Sequence, residues 1–265
     1  MKLALTIAGS DSGGGAGIQA DLKTFSAHGV FGMSVITSIT AQNTLGVLGI
    51  LDVTPEMVYL QMKAIFEDLY PDAVKIGMVS NEEIIKTIAK GLKEYGVEKV
   101  VLDPVMIAKS GDPLLKPEAM KALKEELLPL SLVVTPNLME AKELTGMEIK
   151  NISDMKEAAK KILSLGAKVV LVKGGHLEGE AVDVFYDGVE FYEIKAERIN
   201  TKNTHGTGCT FSSAIAANLA LGYDLLEAVK RAKRYITGAI KNSLSIGHGV
   251  GPTNHFWNVE FKGIE

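Results

Sequence analysis

Short apolar segments alternate with longer amphipathic segments along this chain, and the alternation limits the folds that it can adopt. The short segments are rich in β-branched residues, and several are continuously apolar, which is typical of strands covered on both faces. The predicted strands are Leu3–Ala8, Val35–Ser38, Ala73–Ile76, Val100–Leu102, Leu132–Thr135 and Val169–Val172.

The intervening segments have the spacing of helices. They are Gln19–Ala27, Glu56–Leu69, Glu82–Glu94, Glu118–Leu127 and Asp154–Leu165. Pro55, Asn81, Pro117 and Ser153 stand at plausible helix starts. Strands that alternate with helices predict an α/β fold with a mostly parallel central sheet and helices on both faces.

The last third of the chain departs from this alternation. Val182–Tyr186 and Val189–Ile194, joined at Asp187-Gly188, predict a β-hairpin. Two helices over Thr210–Leu221 and Leu225–Ser243 are expected to close the fold. No repeat, low-complexity tract or linker interrupts the sequence, so we expect a single domain over residues 1–265.

Composition and charge narrow the class of protein. The net charge of −4 argues against nucleic acid as the main partner, since a phosphate backbone requires a basic surface. Met1–Ala8 is too short for a signal peptide, and no run is long and apolar enough to span a bilayer. A single cysteine allows neither an intramolecular disulfide nor a cysteine zinc site. We therefore expect a cytoplasmic protein with neither a nucleic-acid nor a membrane partner.

Gly206-Thr207-Gly208-Cys209 precedes a run of small, helix-compatible residues from Ser212 to Leu221. A glycine-rich loop that leads into a helix can hold an anion on the unpaired N–H groups of the first turn. The alternative is a tight turn before a packed helix. The chain has no Gly-x-x-x-x-Gly-Lys-Ser/Thr sequence and no complete Gly-x-Gly-x-x-Gly after its first strand, which excludes a P-loop and the dinucleotide fingerprint.

Cys209, the only cysteine, lies at the same turn. From its position alone, the better interpretation is a small buried apolar residue. The functional alternative is a group that orients or deprotonates a substrate hydroxyl, because a helix N-terminus lowers the pKa of a thiol. An anion site beside such a thiol suggests phosphoryl transfer.

A second glycine cluster, Gly13–Gly17, follows the first predicted strand at its carboxyl end. Open α/β sheets bind ligands at this edge, and glycines let a ligand approach the backbone. Asp21 comes one helical turn later, so its carboxylate either faces back into this edge or lies at the surface. Gln42, after the second strand, is either a polar loop residue or an amide suited to the edge of an aminopyrimidine.

Acidic and amide residues follow two further strands. Asp103 ends one strand, and Asn137 with Glu140 follows another. Each is a potential helix cap, but three such groups at one edge of a sheet favour a shared site that binds Mg²⁺ or positions water, since magnesium takes oxygen ligands and usually keeps several waters.

Lys173 ends the next strand and is followed by two glycines. A lysine there can neutralise the charge of a phosphate in a transition state, whereas the alternative is an exposed surface lysine. For His176 and His205 we expect hydrogen-bonding or capping roles, because neither has the spacing of a histidine pair.

Together these segments resemble the ribokinase superfamily, and within it the hydroxymethylpyrimidine/phosphomethylpyrimidine kinases of thiamine biosynthesis. The resemblance runs from Ala4 to about Phe256. Its motifs are AGSDSGGGAGIQAD at Ala8–Asp21, TAQNT at Thr40–Thr44, KIGM at Lys75–Met78, DPVM at Asp103–Met106, TPN at Thr135–Asn137 with Glu140-Ala141, KGGH at Lys173–His176 and NTHGTGC at Asn203–Cys209.

The resemblance implies a ribokinase-like three-layer fold and a homodimer. It implies ATP- and Mg²⁺-dependent phosphorylation of 4-amino-5-hydroxymethyl-2-methylpyrimidine, and then of its monophosphate to the diphosphate. A pyridoxal kinase of the same superfamily is the alternative, because its substrate is also a small aromatic ring with a hydroxymethyl group. A non-catalytic pyrimidine or nucleotide sensor on this fold is a third interpretation, but it would be expected to lack Lys173 or the glycine turn.

The resemblance also implies roles for individual residues. The catalytic set is Gly206, Gly208, Cys209 and Lys173, with the first three forming an anion hole. The pyrimidine would contact Gly9, Asp21, Gln42, Met78 and Val105. The residues for ATP are Asn137, Lys173, Thr207 and Gly208, and those for the metal are Asp103 and Glu140. Cys209 stands where most ribokinase-like enzymes carry an aspartate, and Lys109–Leu115 matches the active-site flap.

Overall fold

The sheet at the centre of the protein is built from nine strands in the described part of the chain. A computed structural model describes residues 1–106, 117–175 and 179–260. The sheet has the order β3-β2-β1-β4-β5-β6-β7-β8-β9. The strands are β1 Leu3–Asp11, β2 Phe31–Gln42, β3 Val47–Asp52, β4 Ala73–Ile76, β5 Val100–Leu102, β6 Val133–Val134, β7 Val169–Val172, β8 Ala181–Tyr186 and β9 Phe191–Ala196.

Six neighbouring strands, from β2 through β1 and β4 to β7, run parallel. The additions at the two ends, β3 on one side and the β8–β9 hairpin on the other, are antiparallel. The chain passes from β1 outward to β2 and then returns to the other side of β1 at β4. In open α/β sheets the crevice at such a reversal is where ligands bind.

Helices cover both faces of the sheet. They are α1 Gly17–Ala27, α2 Pro55–Phe66, α3 Glu82–Glu94, α4 Pro117–Ala122, α5 Leu138–Thr145, α6 Ile152–Leu163, α7 Thr207–Ala220 and α8 Leu225–Lys241. A π-helical turn, Leu123–Leu127, and a 3₁₀ turn, Leu128–Leu130, extend α4. The three-layer α/β fold predicted from the sequence is confirmed.

The alternation of side chains along the strands divides the core in two. Leu5 and Ile7 of β1 pack under α2–α6, whereas Ala4 packs on the other face under α1, α7 and α8. Because both faces of β1 are covered, its residues can be apolar in succession.

Several predicted boundaries were wrong. The helix expected to begin at Ser153 is capped by Asn151, whose side chain accepts a hydrogen bond from the Asp154 N–H. The helix expected from Thr210 begins at Thr207, so that Gly208 and Cys209 lie in its first turn. Strand β3 and helix α5 were not predicted at all. In the described residues, no helix has the length and apolar character needed to cross a bilayer.

Candidate active site

A cleft of about 550 Å³ opens at the carboxyl ends of the parallel strands, where the switch in strand order predicts a ligand site. Its wall contains nearly all of the predicted site residues. These are Gly9, Gln42, Met78, Asp103, Val105, Asn137, Glu140, Lys173, Gly206, Thr207, Gly208 and Cys209. Asp21 is the exception, since it is not among the described residues that line the cleft.

The first turn of α7 forms one wall of the cleft. Gly206 caps the helix in the left-handed conformation, with φ of 76°, and no side chain caps the turn. A Cβ on Gly206 would lie 1.7 Å from the Gly15 carbonyl oxygen, so only glycine fits where the two glycine loops meet. An uncapped helix start that faces a cleft is suited to an anion.

Lys173 and Asp103 lie opposite this turn. The Lys173 Nζ donates to Asp103 Oδ1 at 2.8 Å, and a Cβ on Gly208 would lie 3.5 Å from that Nζ. Burial opposes the charge of Lys173, but Asp103 and Glu140 outweigh it and raise the lysine pKa. Lys173 is therefore not an exposed surface lysine. It is a half-buried cation beside the helix start, and Asp103 is its carboxylate partner.

Asp103 is a buried carboxylate with several donors. Thr135 Oγ1 donates to it at 3.2 Å and Ser212 Oγ at 3.4 Å, in addition to Lys173. Burial disfavours its charge, yet the charges of Lys173 and Lys75 lower its pKa. Asp103 is therefore ionised at neutral pH.

Asn137 and Glu140 cap each other at the start of α5. The Glu140 carboxylate accepts from the Asn137 N–H at 2.7 Å, and the Asn137 Oδ1 accepts from the Glu140 N–H at 2.9 Å. This is a capping box, one of the alternatives that the sequence left open. Burial raises the pKa of Glu140 to about 7, although the charge of Lys173 opposes that shift. Glu140 can thus change protonation state near neutral pH.

Cys209 is a neutral thiol in this setting. Burial raises its pKa to about 11, which outweighs the nearby charge of Lys75 and the hydrogen bond from the Gly17 N–H. The alternative in which the helix N-terminus activates the Cys209 thiol by lowering its pKa is not supported, because desolvation exceeds the effect of the helix terminus.

Asp21 lies beneath the cleft in a buried ion pair. Its oxygens accept from Lys75 Nζ at 2.9 and 2.8 Å, from Thr6 Oγ1 at 2.6 Å and from Ser213 Oγ at 2.6 Å. Both Asp21 and Lys75 are fully buried. The carboxylate is therefore not at the surface, and it faces the protein interior rather than the cleft, so a direct substrate contact by Asp21 is not supported.

The cleft is also lined by apolar residues. Met78 is buried against Gly9, where a Cβ would lie 3.0 Å from the Met78 Sδ. Val105 is half-buried nearby on the cleft wall. Gln42 is also half-buried, and Thr40 Oγ1 donates to its Oε1 at 3.2 Å. The lining of the cleft thus includes apolar side chains and a side-chain amide.

Sequence reasoning missed a group that joins the two glycine loops. Asp11 accepts from the N–H groups of Gly13, Gly15 and Ala16, and from His205 Nε2 at 2.8 Å. His205 was expected to have a hydrogen-bonding role, and this is its partner. The available signal was position alone, since Asp11 lies two residues before Gly13 and His205 directly precedes Gly206.

A second missed pair lies at the far end of the cleft. Asp183 accepts from the Gly174 N–H at 3.0 Å and from Lys233 Nζ at 2.7 Å, which ties the turn after Lys173 to α8. His176 and the flap expected at Lys109–Leu115 lie outside the described residues.

Comparison with known proteins shows the family to which the chain belongs. A sequence profile of the phosphomethylpyrimidine kinase family matches residues 11–254. A hydroxymethylpyrimidine/phosphomethylpyrimidine kinase of Rhizobium meliloti is 59% identical over 258 residues, which are 96% of this chain and 97% of the relative.

Two solved structures extend the comparison. A phosphomethylpyrimidine kinase from Clostridium difficile is 54% identical with a TM-score of 0.82, over 91% of this chain and 100% of its own. An ADP complex of Bacillus subtilis pyridoxal kinase is 47% identical with a TM-score of 0.90, over 96% of this chain and 97% of its own.

The mostly parallel sheet and the likeness to the Bacillus subtilis pyridoxal kinase over nearly the whole chain place the protein among the ribokinase-like kinases. Within that class, the family profile and the Rhizobium meliloti relative both point to the phosphomethylpyrimidine kinases. The chain belongs to the phosphomethylpyrimidine kinase family, and the resemblance inferred from its motifs is confirmed.

Proposed function

We propose that the protein transfers the γ-phosphoryl group of ATP to 4-amino-5-hydroxymethyl-2-methylpyrimidine, and then to the monophosphate to give the diphosphate, in thiamine biosynthesis. One observation carries the proposal. The start of α7 and Lys173 meet at Gly208, in the same cleft as Gln42 and Met78. A site for a transferring phosphoryl group and a site for a small ring thus share one space.

The ring end favours an aminopyrimidine. Met78 and Val105 supply apolar contact area, and Gln42 supplies an amide. An amide offers a donor and an acceptor side by side, which suits a ring nitrogen next to an amino group.

At the phosphate end, positioning and electrostatics do most of the work. The substrate hydroxyl oxygen attacks the γ-phosphorus in line, the new O–P bond forms, and the bond between the γ-phosphorus and the oxygen bridging to the β-phosphate breaks. The hydroxyl proton passes to an oxygen of the transferring phosphoryl group, and the β-phosphate oxygen leaves with ADP. The N–H groups at the start of α7 and the cation of Lys173 stabilise the charge on the transferring group. Cys209, as a neutral thiol, orients the hydroxyl through a weak hydrogen bond and does not remove its proton as a thiolate.

The acidic residues fit a Mg²⁺ ion that arrives with the phosphates. Among the described residues no group of three or more ligating side chains is arranged to hold a metal. Mg²⁺ is commonly held by one or two carboxylates together with substrate phosphates and water. Glu140, and Asp103 through water, would hold the ion, which when bound would neutralise phosphate charge.

A pyridoxal kinase is the second candidate, because the pyridoxal kinase of Bacillus subtilis is 47% identical and shares the fold over nearly the whole chain. Its ADP complex also supports a nucleotide as the donor. The two activities would share the phosphate end described here and differ at Gln42, Met78 and Val105.

Product analysis by mass spectrometry separates the candidates. The protein is incubated with ATP and Mg²⁺ and with either the pyrimidine alcohol or pyridoxal. We expect the pyrimidine mono- and diphosphate, with slower turnover of pyridoxal. Faster phosphorylation of pyridoxal would favour the second candidate, and tight pyrimidine binding without turnover would indicate a sensor.

We also propose that the whole chain is one kinase domain that functions as a homodimer in the cytoplasm. The continuous nine-stranded sheet of the described residues supports a single domain. Its edge strand β3 exposes Leu48 at 81% and Leu51 at 68%, and an exposed apolar edge favours association. The single cysteine suits a reducing compartment.

Light scattering tests the dimer. Leu48→Glu should shift the protein toward the monomer, whereas Val189→Glu, at an equally exposed hairpin turn, should not. A monomeric wild type at micromolar concentration would contradict the proposal, and cell fractionation tests the location.

A further inference from the structure

Two glycine loops meet at the cleft although they are far apart in the sequence. One, Gly13–Gly17, leads from β1 into α1, and the other, Thr204–Gly206, leads into α7. The second loop supplies the helix start where phosphoryl transfer is proposed. Whatever fixes the first loop against the second therefore also fixes the anion site.

Asp11 holds the first loop. Its Oδ1 accepts from the Gly13 N–H at 2.8 Å, and its Oδ2 accepts from the Gly15 N–H at 3.1 Å and the Ala16 N–H at 2.8 Å. The side chain is buried, with 3% of its surface exposed. Burial disfavours its charge, but the His205 and backbone hydrogen bonds lower its pKa, so Asp11 is a carboxylate at neutral pH.

The same Asp11 oxygen contacts the second loop through His205. The Oδ2 lies 2.8 Å from His205 Nε2. A carboxylate only accepts hydrogen bonds, so the histidine Nε2 carries the proton and donates it. The backbone of His205 is fixed in turn, since its N–H donates to the Gly251 carbonyl and its own carbonyl accepts from the Thr253 N–H.

The contact between the loops is also tight. A Cβ on Gly15 would lie 2.4 Å from His205 Cδ2, so the imidazole ring packs directly on the first loop. Gly206 follows His205 in the chain, and a Cβ there would lie 1.7 Å from the Gly15 carbonyl oxygen. Close packing without room for a methyl group means that neither loop can shift without the other.

We propose that Asp11 and His205 are positioning residues for phosphoryl transfer, which hold the Gly206–Cys209 turn at the distance from Lys173 and the substrate that the reaction needs. The proposal rests on the proposed function for its kinetic consequences. Neither side chain supplies the reacting group. Both act through the backbone N–H groups of the turn, where a displacement of about 1 Å can cost about 100-fold in rate.

The experiment compares Asp11→Asn, His205→Leu and His205→Gln with wild type. Asp11→Asn replaces an acceptor-only group by an amide, which cannot accept from all four donors. His205→Leu removes the donor, whereas His205→Gln can restore it through the side-chain amide. Asp72→Asn is the matched control, since Asp72 also accepts from a backbone N–H and a cation, Leu3 and Lys2, at the opposite edge of the sheet.

The kinetic measurement is kcat and KM for the pyrimidine alcohol and for ATP. We expect kcat to fall at least about tenfold in Asp11→Asn and His205→Leu, with both KM values within about threefold of wild type. His205→Gln should recover most of the loss, and Asp72→Asn should match wild type. Unchanged kcat in Asp11→Asn or His205→Leu, or a rise in KM alone, would overturn the proposal.

Amide hydrogen exchange followed by mass spectrometry gives a readout that does not depend on turnover. Asp11→Asn and His205→Leu should accelerate exchange in both segments, 12–17 and 203–210, and Asp72→Asn in neither. Acceleration confined to the mutated segment, or none, would overturn the coupling of the loops. A wild type that fails to phosphorylate the pyrimidine alcohol would refute the proposed function, while the exchange data would still decide whether the loops are coupled.

Discussion

The Nζ of Lys75 lies 2.9 and 2.8 Å from the two carboxylate oxygens of Asp21, and both side chains are fully buried. Burial alone would lower the pKa of Lys75, but the charges of Asp21 and Asp103 raise it. The pair joins β4 to α1 directly beneath the cleft. Asp21 was expected to contact the substrate, but its hydrogen bonds to Lys75 place it in the support beneath the site.

Removal of one partner of this pair should destabilise the protein strongly. Lys75→Met leaves the Asp21 carboxylate buried without a cation, and loss of one partner from a buried pair costs roughly 3–5 kcal/mol. Urea unfolding at pH 7 measures the change in the free energy of unfolding. Lys75→Met combined with Asp21→Leu should recover part of the loss, because no unpaired charge then remains.

The control for that prediction is an ion pair at the surface. Lys2 pairs with Asp72, and their side chains are 52% and 28% exposed. Lys2→Met should cost far less than Lys75→Met, since solvent screens exposed pairs. Equal losses in the two variants would show that burial does not decide the strength of the Lys75–Asp21 pair.

Gly206→Ala should destabilise the protein more than a glycine substitution whose only cost is backbone strain. Gly222, just after α7, also has a left-handed φ of 94°, but a Cβ there meets nothing within 4 Å. Gly222→Ala should cost about 1–2 kcal/mol. Gly206→Ala adds a collision with the Gly15 carbonyl, so thermal unfolding should show a larger loss, and turnover should fall as the loops separate. Equal losses would contradict the collision.

The parts of the fold that the sequence predicted best are those whose signal is local. Strands β4, β5 and β7 have the predicted bounds, because short runs rich in β-branched residues are typical of strands that are buried on both faces. Strand β3 was missed since its residues Leu48–Leu51 are all exposed and include a glycine. Such an antiparallel edge lacks the alternation of polar and apolar residues.

The site divides in the same way. Lys173 and Asp103 were predictable because carboxyl ends of parallel strands meet at one edge. The hydrogen bonds of Asp21 to Lys75 and of Asp11 to His205 join residues 54 and 194 positions apart, and no local pattern indicates them. The raised pKa of Cys209 is likewise a tertiary effect, since burial causes it, whereas the sequence shows only the local helix start.

Gly208→Asp should impair turnover more than Cys209→Ser. A side chain at Gly208 points toward the Asp103 Oδ2 and the Lys173 Nζ, with its Cβ at 3.4 and 3.5 Å, so an added carboxylate competes with the phosphate for the lysine. We expect a loss of about 100-fold or more in single-turnover assays, comparable with loss of an oxyanion contact. Cys209→Ser keeps a small neutral hydroxyl and should retain most of the rate.

Gly208→Ala separates charge from bulk in that comparison. Its methyl group makes only ordinary contacts, so its effect should be small. If Gly208→Ala and Gly208→Asp lose turnover equally, bulk rather than charge is responsible. Comparable losses in Gly208→Asp and Cys209→Ser would instead give the thiol a larger role than positioning.

Alkylation tests the protonation state of Cys209. With a pKa of about 11, only about 1 in 10,000 thiols is ionised at pH 7, and the thiolate is the reactive species. The rate of modification by iodoacetamide should rise about tenfold per pH unit between pH 7 and 10. Because the chain has one cysteine, the mass of the intact protein reports this site alone. A plateau by pH 8 would indicate a thiolate near neutral pH.

Glu140→Gln should stabilise the ligand-free protein at pH 8 relative to wild type. Burial raises the pKa of Glu140 from its usual 4.5 to about 7, so between these values the unfolded chain loses a proton that the folded protein keeps. Wild-type stability therefore falls as the pH rises from about 4.5 to 7, by an upper limit of roughly 3 kcal/mol, whereas the glutamine cannot ionise. Urea unfolding from pH 4.5 to 8 should show a difference between the two proteins that is small at the acid end, grows to pH 7 and then levels off.

Glutamine can still accept from the Asn137 N–H, so the helix cap is kept. If the difference in the free energy of unfolding between the two proteins does not change with pH, the Glu140 carboxyl group is not desolvated. Loss of the Mg²⁺ requirement in Glu140→Gln would bear on the role of Glu140 as a metal ligand and not on its pKa.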